Sequence, residues 1–151
     1  MSRVMIDIEK CEGCKNCSAA CMQGHRAVPG TIYDLDLTDP ANESRNRILQ
    51  STDGKYIPLF CRHCDEPECA NACVSGAMTK DPETGIVSYD KDQCAACFVC
   101  VMSCPYGVLK PDRVSNSMVI KCDFCKDDEE GQNCVRACPR EAIFMNPEAT
   151  E

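Results

Sequence analysis

The stretch Cys94–Pro105, reading CAACFVCVMSCP, constrains this chain more than any other. Cysteines stand at Cys94, Cys97, Cys100 and Cys104, and Pro105 follows the last. Three thiols with two residues between each suit a chain curled tightly around a small object. The fourth lies about one helical turn beyond the third, and proline then ends that turn. Similar runs recur. CEGCKNCSAAC supplies Cys11, Cys14, Cys17 and Cys21, and CRHCDEPECANAC supplies Cys61, Cys64, Cys69 and Cys73. CDFCKDDEEGQNCVRACP supplies Cys122, Cys125, Cys134 and Cys138. All sixteen cysteines fall into these four groups, with none left over. In every group the last two stand at i and i+4, so Cys17/Cys21, Cys69/Cys73, Cys100/Cys104 and Cys134/Cys138 are each expected to share a face of one helical turn.

The spacing C-x2-C-x2-C-x3-C-P is that of a bacterial ferredoxin-type [4Fe–4S] site, in which the fourth cysteine ligates the other cluster of a two-cluster protein. Four groups therefore predict four [4Fe–4S] clusters. Gly13, between Cys11 and Cys14, suits a close backbone approach to a cube. The second and fourth groups carry enlarged middle loops, one with Pro67 and one with the acidic run Asp127–Glu130, read as a solvated face. Zinc is the competing metal, but its sites combine two separated pairs rather than three cysteines at x2 spacing followed by x3-C. Pro105 and Pro139 also favour iron–sulfur.

With 151 residues, no tryptophan and 5% aromatic residues, a conventional core would be thin. Ligated clusters can replace it, since metal binding supplies folding free energy. A secreted disulfide scaffold is the other use of so many cysteines, but MSRVMIDIEK holds no apolar signal segment. No run of about 18 apolar residues offers a membrane span, so a soluble, cytoplasmic protein is expected. The formal net charge is −8, and each oxidised four-thiolate cube adds about −2. That excludes nucleic acid as a natural partner and favours a protein with a positive docking patch. GxGxxG, P-loop and HExxH motifs are absent. Each cube can take four thiolates, leaving no open iron for substrate. The expected role is electron transfer, with no catalytic residue.

Residues 4–8 and 142–145 read as short strands that would pair across the chain's ends. Residues 77–89 read as a hairpin turning at Asp81–Gly85, and Val108–Leu109 and Met118–Ile120 flank a polar loop. Between Met22 and Phe60 lie 39 residues without cysteine, expected as extended loops with at most a strand or two. His25, in that segment, is read as a polar contact and not a ligand. His63, between Cys61 and Cys64, has two readings: a hydrogen-bond donor to a cluster, or a partly exposed packing residue. Groups two and three, separated by 20 residues holding the hairpin, resemble a compact two-cluster ferredoxin. They are expected to share two cubes, one on Cys61, Cys64, Cys69 and Cys104 and one on Cys94, Cys97, Cys100 and Cys73. Groups one and four then share two more, on Cys11, Cys14, Cys17 and Cys138, and on Cys122, Cys125, Cys134 and Cys21. The fold class is α+β, with two nested two-cluster ferredoxin-like modules. Residues 1–21 and 109–151 form the outer module, 22–59 a loop-rich insert, and 60–108 the inner module.

The four groups, CRHCDEPEC, and CPYGVLK followed by KCDFC together resemble the four-cluster iron–sulfur subunits of the dimethyl sulfoxide reductase type. The resemblance covers nearly the whole chain. It implies all sixteen cysteines as ligands, the same crossed pairing, and a place in anaerobic metabolism. It implies a catalytic oxidoreductase subunit as one partner and a second redox protein, a flavin NAD(P) oxidoreductase or a ferredoxin, as the other. Some relatives substitute tryptophan for one cysteine and hold a three-iron cluster, whereas every position here is cysteine. Membrane-bound relatives add a C-terminal helix, and this chain stops soon after Pro139. The compact form is most similar to the electron-transfer partner of carbon monoxide dehydrogenase. The small subunit of a tungsten or molybdenum aldehyde or formate oxidoreductase, and a free polyferredoxin, are the alternatives.

Overall fold

The computed structural model describes residues 3–146. Strand β1 (Arg3–Ile6) pairs antiparallel with β8 (Ile143–Asn146), placing Val4 opposite Met145 and Ile6 opposite Ile143. The Asp7 N–H continues the ladder to Ala142 O at 2.8 Å. The strand expected to reach Ile8 stops at Ile6. Asp7 instead accepts from the Glu9 N–H and opens a 3-10 turn, Ile8–Lys10, that leads straight into Cys11.

Helix α1 (Asn16–His25) carries both Cys17 and Cys21 and runs one turn past the latter. The remaining helices are single turns: α2 (Glu68–Asn71), α3 (Val99–Ser103) and α4 (Asn133–Arg136). Each contains the third cysteine of its group and ends before the fourth. The helical turn expected to hold both members of the last pair is therefore complete only for Cys17/Cys21. Cys104 is already extended, and Cys73 and Cys138 each lie one residue beyond their helix caps, Ala72 and Ala137. Released from the helix, these fourth cysteines leave their own group's turn.

The insert contains a hairpin, β2 (Arg47–Gln50) with β3 (Tyr56–Leu59), closed by a turn in which Gly54 N–H bonds Ser51 O. Strands β4 (Met78–Lys80) and β5 (Val87–Tyr89) form the expected hairpin, with Asp81 accepting from the Glu83 N–H in the connecting turn. A short ribbon pairs β6 (Lys110–Pro111) with β7 (Val119–Ile120). No helix among the described residues is long and apolar enough to cross a membrane.

Two small cores hold these pieces. One gathers Met78, Cys100, Leu109 and Val119, with Cys69, Cys73 and Tyr89 against it. The other gathers Cys17, Phe60 and Ile143, with Val4, Ile48 and Cys134 against it. Cysteines occupy core positions that a conventional domain fills with leucine or phenylalanine. The insert is bolted down by polar contacts. Asn46, only 2% exposed, donates to Cys17 O at 3.3 Å and accepts from the Ser18 hydroxyl at 2.6 Å. Buried Lys110 reaches Ser44 O at 2.7 Å, Asn46 O at 3.0 Å and the Glu43 carboxylate at 3.1 Å. Burial lowers the Lys110 pKa, and the hydrogen bond to Glu43 and its charge oppose that shift.

Candidate metal centres

The first C-x-x-C turn of each group uses the same backbone device. The residue before the second cysteine has a positive φ in all four: Gly13 (68°), His63 (43°), Ala96 (53°) and Phe124 (66°). This left-handed residue curls the loop so that amides face the sulfurs. Ala96 N–H donates to Cys94 Sγ at 3.4 Å, and Phe124 N–H donates to Cys122 Sγ at 3.4 Å. For a side chain other than glycine, such a conformation costs about 1–3 kcal/mol and persists only where the surroundings demand it. Three of the four turns accept that strain. At Gly13 the demand is also steric, because a Cβ there would collide with the Tyr56 ring. Only Gly13 stood out in the sequence, since histidine, alanine and phenylalanine give no sign of a left-handed backbone.

The turns and helices bring the sulfurs together across the chain. Cys11, Cys14, Cys17 and Cys138 line one cavity, closed by Ile48, Pro58 and Ile143. Cys21, Cys122, Cys125 and Cys134 line a second, with Cys61 on its wall. Cys61, Cys64, Cys69 and Cys104 line a third, together with His63 and Tyr106. The last four cysteines also gather. Burial raises the Cys100 pKa, and Cys73, Cys94 and Cys97 raise it further. Helix α1 packs on α4 and α2 on α3, which is how cysteines of different groups meet.

All sixteen cysteines are unbridged. Burial pushes the Cys17 and Cys69 thiols up to about 11 and Cys134 to about 12, and it also raises Cys21, Cys64, Cys122 and Cys125. Cys73 moves the other way. Burial raises it, but hydrogen bonds from the Met78, Ser75 and Ala77 backbone and the Ser75 side chain outweigh that and lower it. Further donors reach other sulfurs: Arg45 N–H to Cys21 and Ala142 N–H to Cys138, both at 3.3 Å, and Asn133 Nδ2 to Cys125 at 3.7 Å. Soft donors in fours, apolar walls and inward amides fit an iron–sulfur cube, whose thiolate ligands are stabilised by such hydrogen bonds.

The two histidines differ. His25 is more than a stray polar contact. Its Nε2 meets Asp123 Oδ1 at 3.0 Å and its Nδ1 meets Cys21 O at 2.7 Å, tying α1 to the Cys122–Cys125 turn. His63 is 6% exposed, so it is a buried residue rather than a partly exposed one. Burial, and then Lys121, push its pKa down to about 3. Within the acidic run, Asp127 and Glu129 are exposed while Asp128 and Glu130 pair with Arg136 on α4.

Residues 52–148 match the family described as "4Fe-4S dicluster domain". The chain belongs to the 4Fe–4S dicluster family. It is 36% identical over 149 residues to the B subunit of anaerobic dimethyl sulfoxide reductase from Escherichia coli K12, covering 94% of this chain and 71% of that one. It is 31% identical over 159 residues to electron transport protein HydN of the same strain, covering 95% and 87%. Among solved structures it is similar to a chain of the BamBC active site complex of benzoyl coenzyme A reductase bound to benzoyl-CoA. The TM-score there is 0.54 at 24% identity, over 97% of this chain and 79% of that one, which establishes likeness of fold. As a dicluster protein with sixteen cysteines, the chain holds multiple [4Fe–4S] clusters and is an electron-transfer iron–sulfur subunit, not itself a catalyst.

Proposed function

We propose that the chain is a four-cluster relay between two redox partners, with its sixteen cysteines as the ligands. The sets are Cys11, Cys14, Cys17 and Cys138; Cys21, Cys122, Cys125 and Cys134; Cys61, Cys64, Cys69 and Cys104; and Cys73, Cys94, Cys97 and Cys100. The crossed sets make two nested ferredoxin-like modules, an outer one from residues 1–21 and 109–151 and an inner one from 60–108, joined by the insert 22–59. Each [4Fe–4S] cube, when bound, takes up and releases one electron. The protein's part is to hold the cubes in sequence, keep water from the middle ones and tune their potentials.

The residues support an order for the four sites. Cys17 and Cys134 lie close enough for one to raise the other's pKa, linking the first and second sets. Cys61 stands on the wall of the second cavity while lining the third. Cys100 shares one core with Cys69, Cys73 and Cys104, linking the third and fourth. The observation that carries the relay is where this series meets solvent. Only two of the sixteen cysteines are exposed, Cys14 and Cys97, and they belong to the two terminal sets. Exposed apolar side chains stand close in sequence to both terminal sets, Ile8 before Cys11 and Val74 after Cys73.

A third exposed apolar surface lies on the insert, where Val28, Ile32, Tyr33 and Leu37 project among Asp34, Asp36 and Asp39. It suits a partner with apolar pockets and a basic rim. One partner is a catalytic oxidoreductase subunit, with carbon monoxide dehydrogenase first to be tested and a tungsten or molybdenum aldehyde or formate oxidoreductase second. The other is a flavin NAD(P) oxidoreductase or a ferredoxin. Anaerobic purification from native cells tests this, with a cytoplasmic complex as the expected result. A brown protein running alone near 16.6 kDa plus cofactor mass would overturn the subunit reading and leave a free polyferredoxin.

A further inference from the structure

Two polar groups lie buried beside the second and third cavities, His63 on the wall of the third and Lys121 next in sequence to Cys122 of the second, and neither is satisfied in the usual way. Lys121 is 5% exposed. Its ammonium donates to Val87 O and, at 2.7 Å, to Cys122 O. Among the described residues no carboxylate forms an ion pair with it. The other buried lysine, Lys110, has Glu43 at 3.1 Å. An interior ammonium without a counter-ion costs several kcal/mol, more than carbonyl oxygens alone return.

His63 presents the second group. Its Nδ1 accepts the Val87 N–H at 3.0 Å, so the ring proton sits on Nε2. That Nε2 is buried with no hydrogen-bond partner among the described residues. The ring lines the third cavity, and its edge-to-face partner Phe124, with centroids 5.3 Å apart, lines the second. Val87, 1% exposed, holds both groups, its N–H on His63 and its carbonyl on Lys121. Lys121 also stands close enough to Cys69 of the third set and Cys122 of the second to favour both thiolates.

We propose that Lys121 and His63 form an electropositive junction whose counter-ions are the two central clusters, and that it raises the reduction potentials of both. The inference rests on the four-site reading above. A reduced cube carries one more negative charge than an oxidised one, so a fixed cation and an N–H donor stabilise the reduced form. Both residues act through the clusters and are positioning residues. The junction sits where electrons pass between the inner and outer modules, and it lowers the cost of placing charge there.

The test is a potentiometric titration followed by EPR on the full chain, purified anaerobically with its clusters. Lys121→Met should shift two of the four clusters to lower potential and leave the other two in place. At a fixed applied potential the reduced-to-oxidised ratio of those two should fall by about tenfold, equivalent to ~59 mV for one electron. His63→Phe should lower chiefly one of the same two. Unchanged potentials, or an equal shift of all four clusters, would overturn the junction. If Lys121→Met fails to keep its iron, His63→Phe decides alone, and unshifted potentials there refute the proposal. A wild-type iron content far below about sixteen per chain would instead overturn the four-site reading, and the junction with it.

Discussion

Removing one thiol at the end of the chain should empty a site built mostly at its beginning. Cys138 lines the cavity of Cys11, Cys14 and Cys17, whose helix and turn lie at the opposite terminus. In Cys138→Ala that site loses one of four ligands, and the Ala142 N–H loses its sulfur acceptor. The other three sets share no cysteine with it. The expected loss is about four of sixteen irons, or conversion of that one cube to a three-iron form with a loss of about one. The change in the EPR spectrum should match that of Cys14→Ala. The reciprocal pair is Cys21→Ala and Cys125→Ala, which should perturb a second, different signal. Anaerobic iron and sulfide analysis with EPR at several potentials gives both readings. The reasoning is refuted if Cys138→Ala instead reproduces Cys125→Ala, because each linear group would then close on its own cube.

Two further outcomes follow from the same contacts. Asn46→Ala leaves Cys17 O and the Ser18 hydroxyl without their buried partner, a cost of about 2–4 kcal/mol; iron should then escape faster to a chelator, and an unchanged release rate would show that α1 is held by other means. Stripping all iron anaerobically should unfold the chain, since cysteines fill both cores; a far-UV spectrum unaltered by chelation would contradict this.

The sequence determined the chemistry by itself. Four groups of closely spaced cysteines point to iron–sulfur chemistry, because the spacing of three thiols along a curled loop is a local property. The strands at 3–6 and 143–146 and the hairpin at 78–89 were legible for the same reason, from short alternating runs and turn residues. Boundaries moved where a side chain intervened, as when Asp7 capped a turn and ended β1 early. Tertiary structure decided which sulfurs face one another. Helices α2, α3 and α4 stop before the fourth cysteine, and with α1 packed on α4 and α2 on α3, Cys138 lines the first group's cavity and Cys104 the second group's. It decided the backbone strain at His63, Ala96 and Phe124, which their residue types conceal. It also removed the partly exposed reading of His63. Whether that ring packs at the surface or offers a buried N–H depends on Val87, 24 residues away, and on Lys121 and Phe124 from the far end of the chain. Contacts over such separations come from the folded chain as a whole, and no local pattern encodes them.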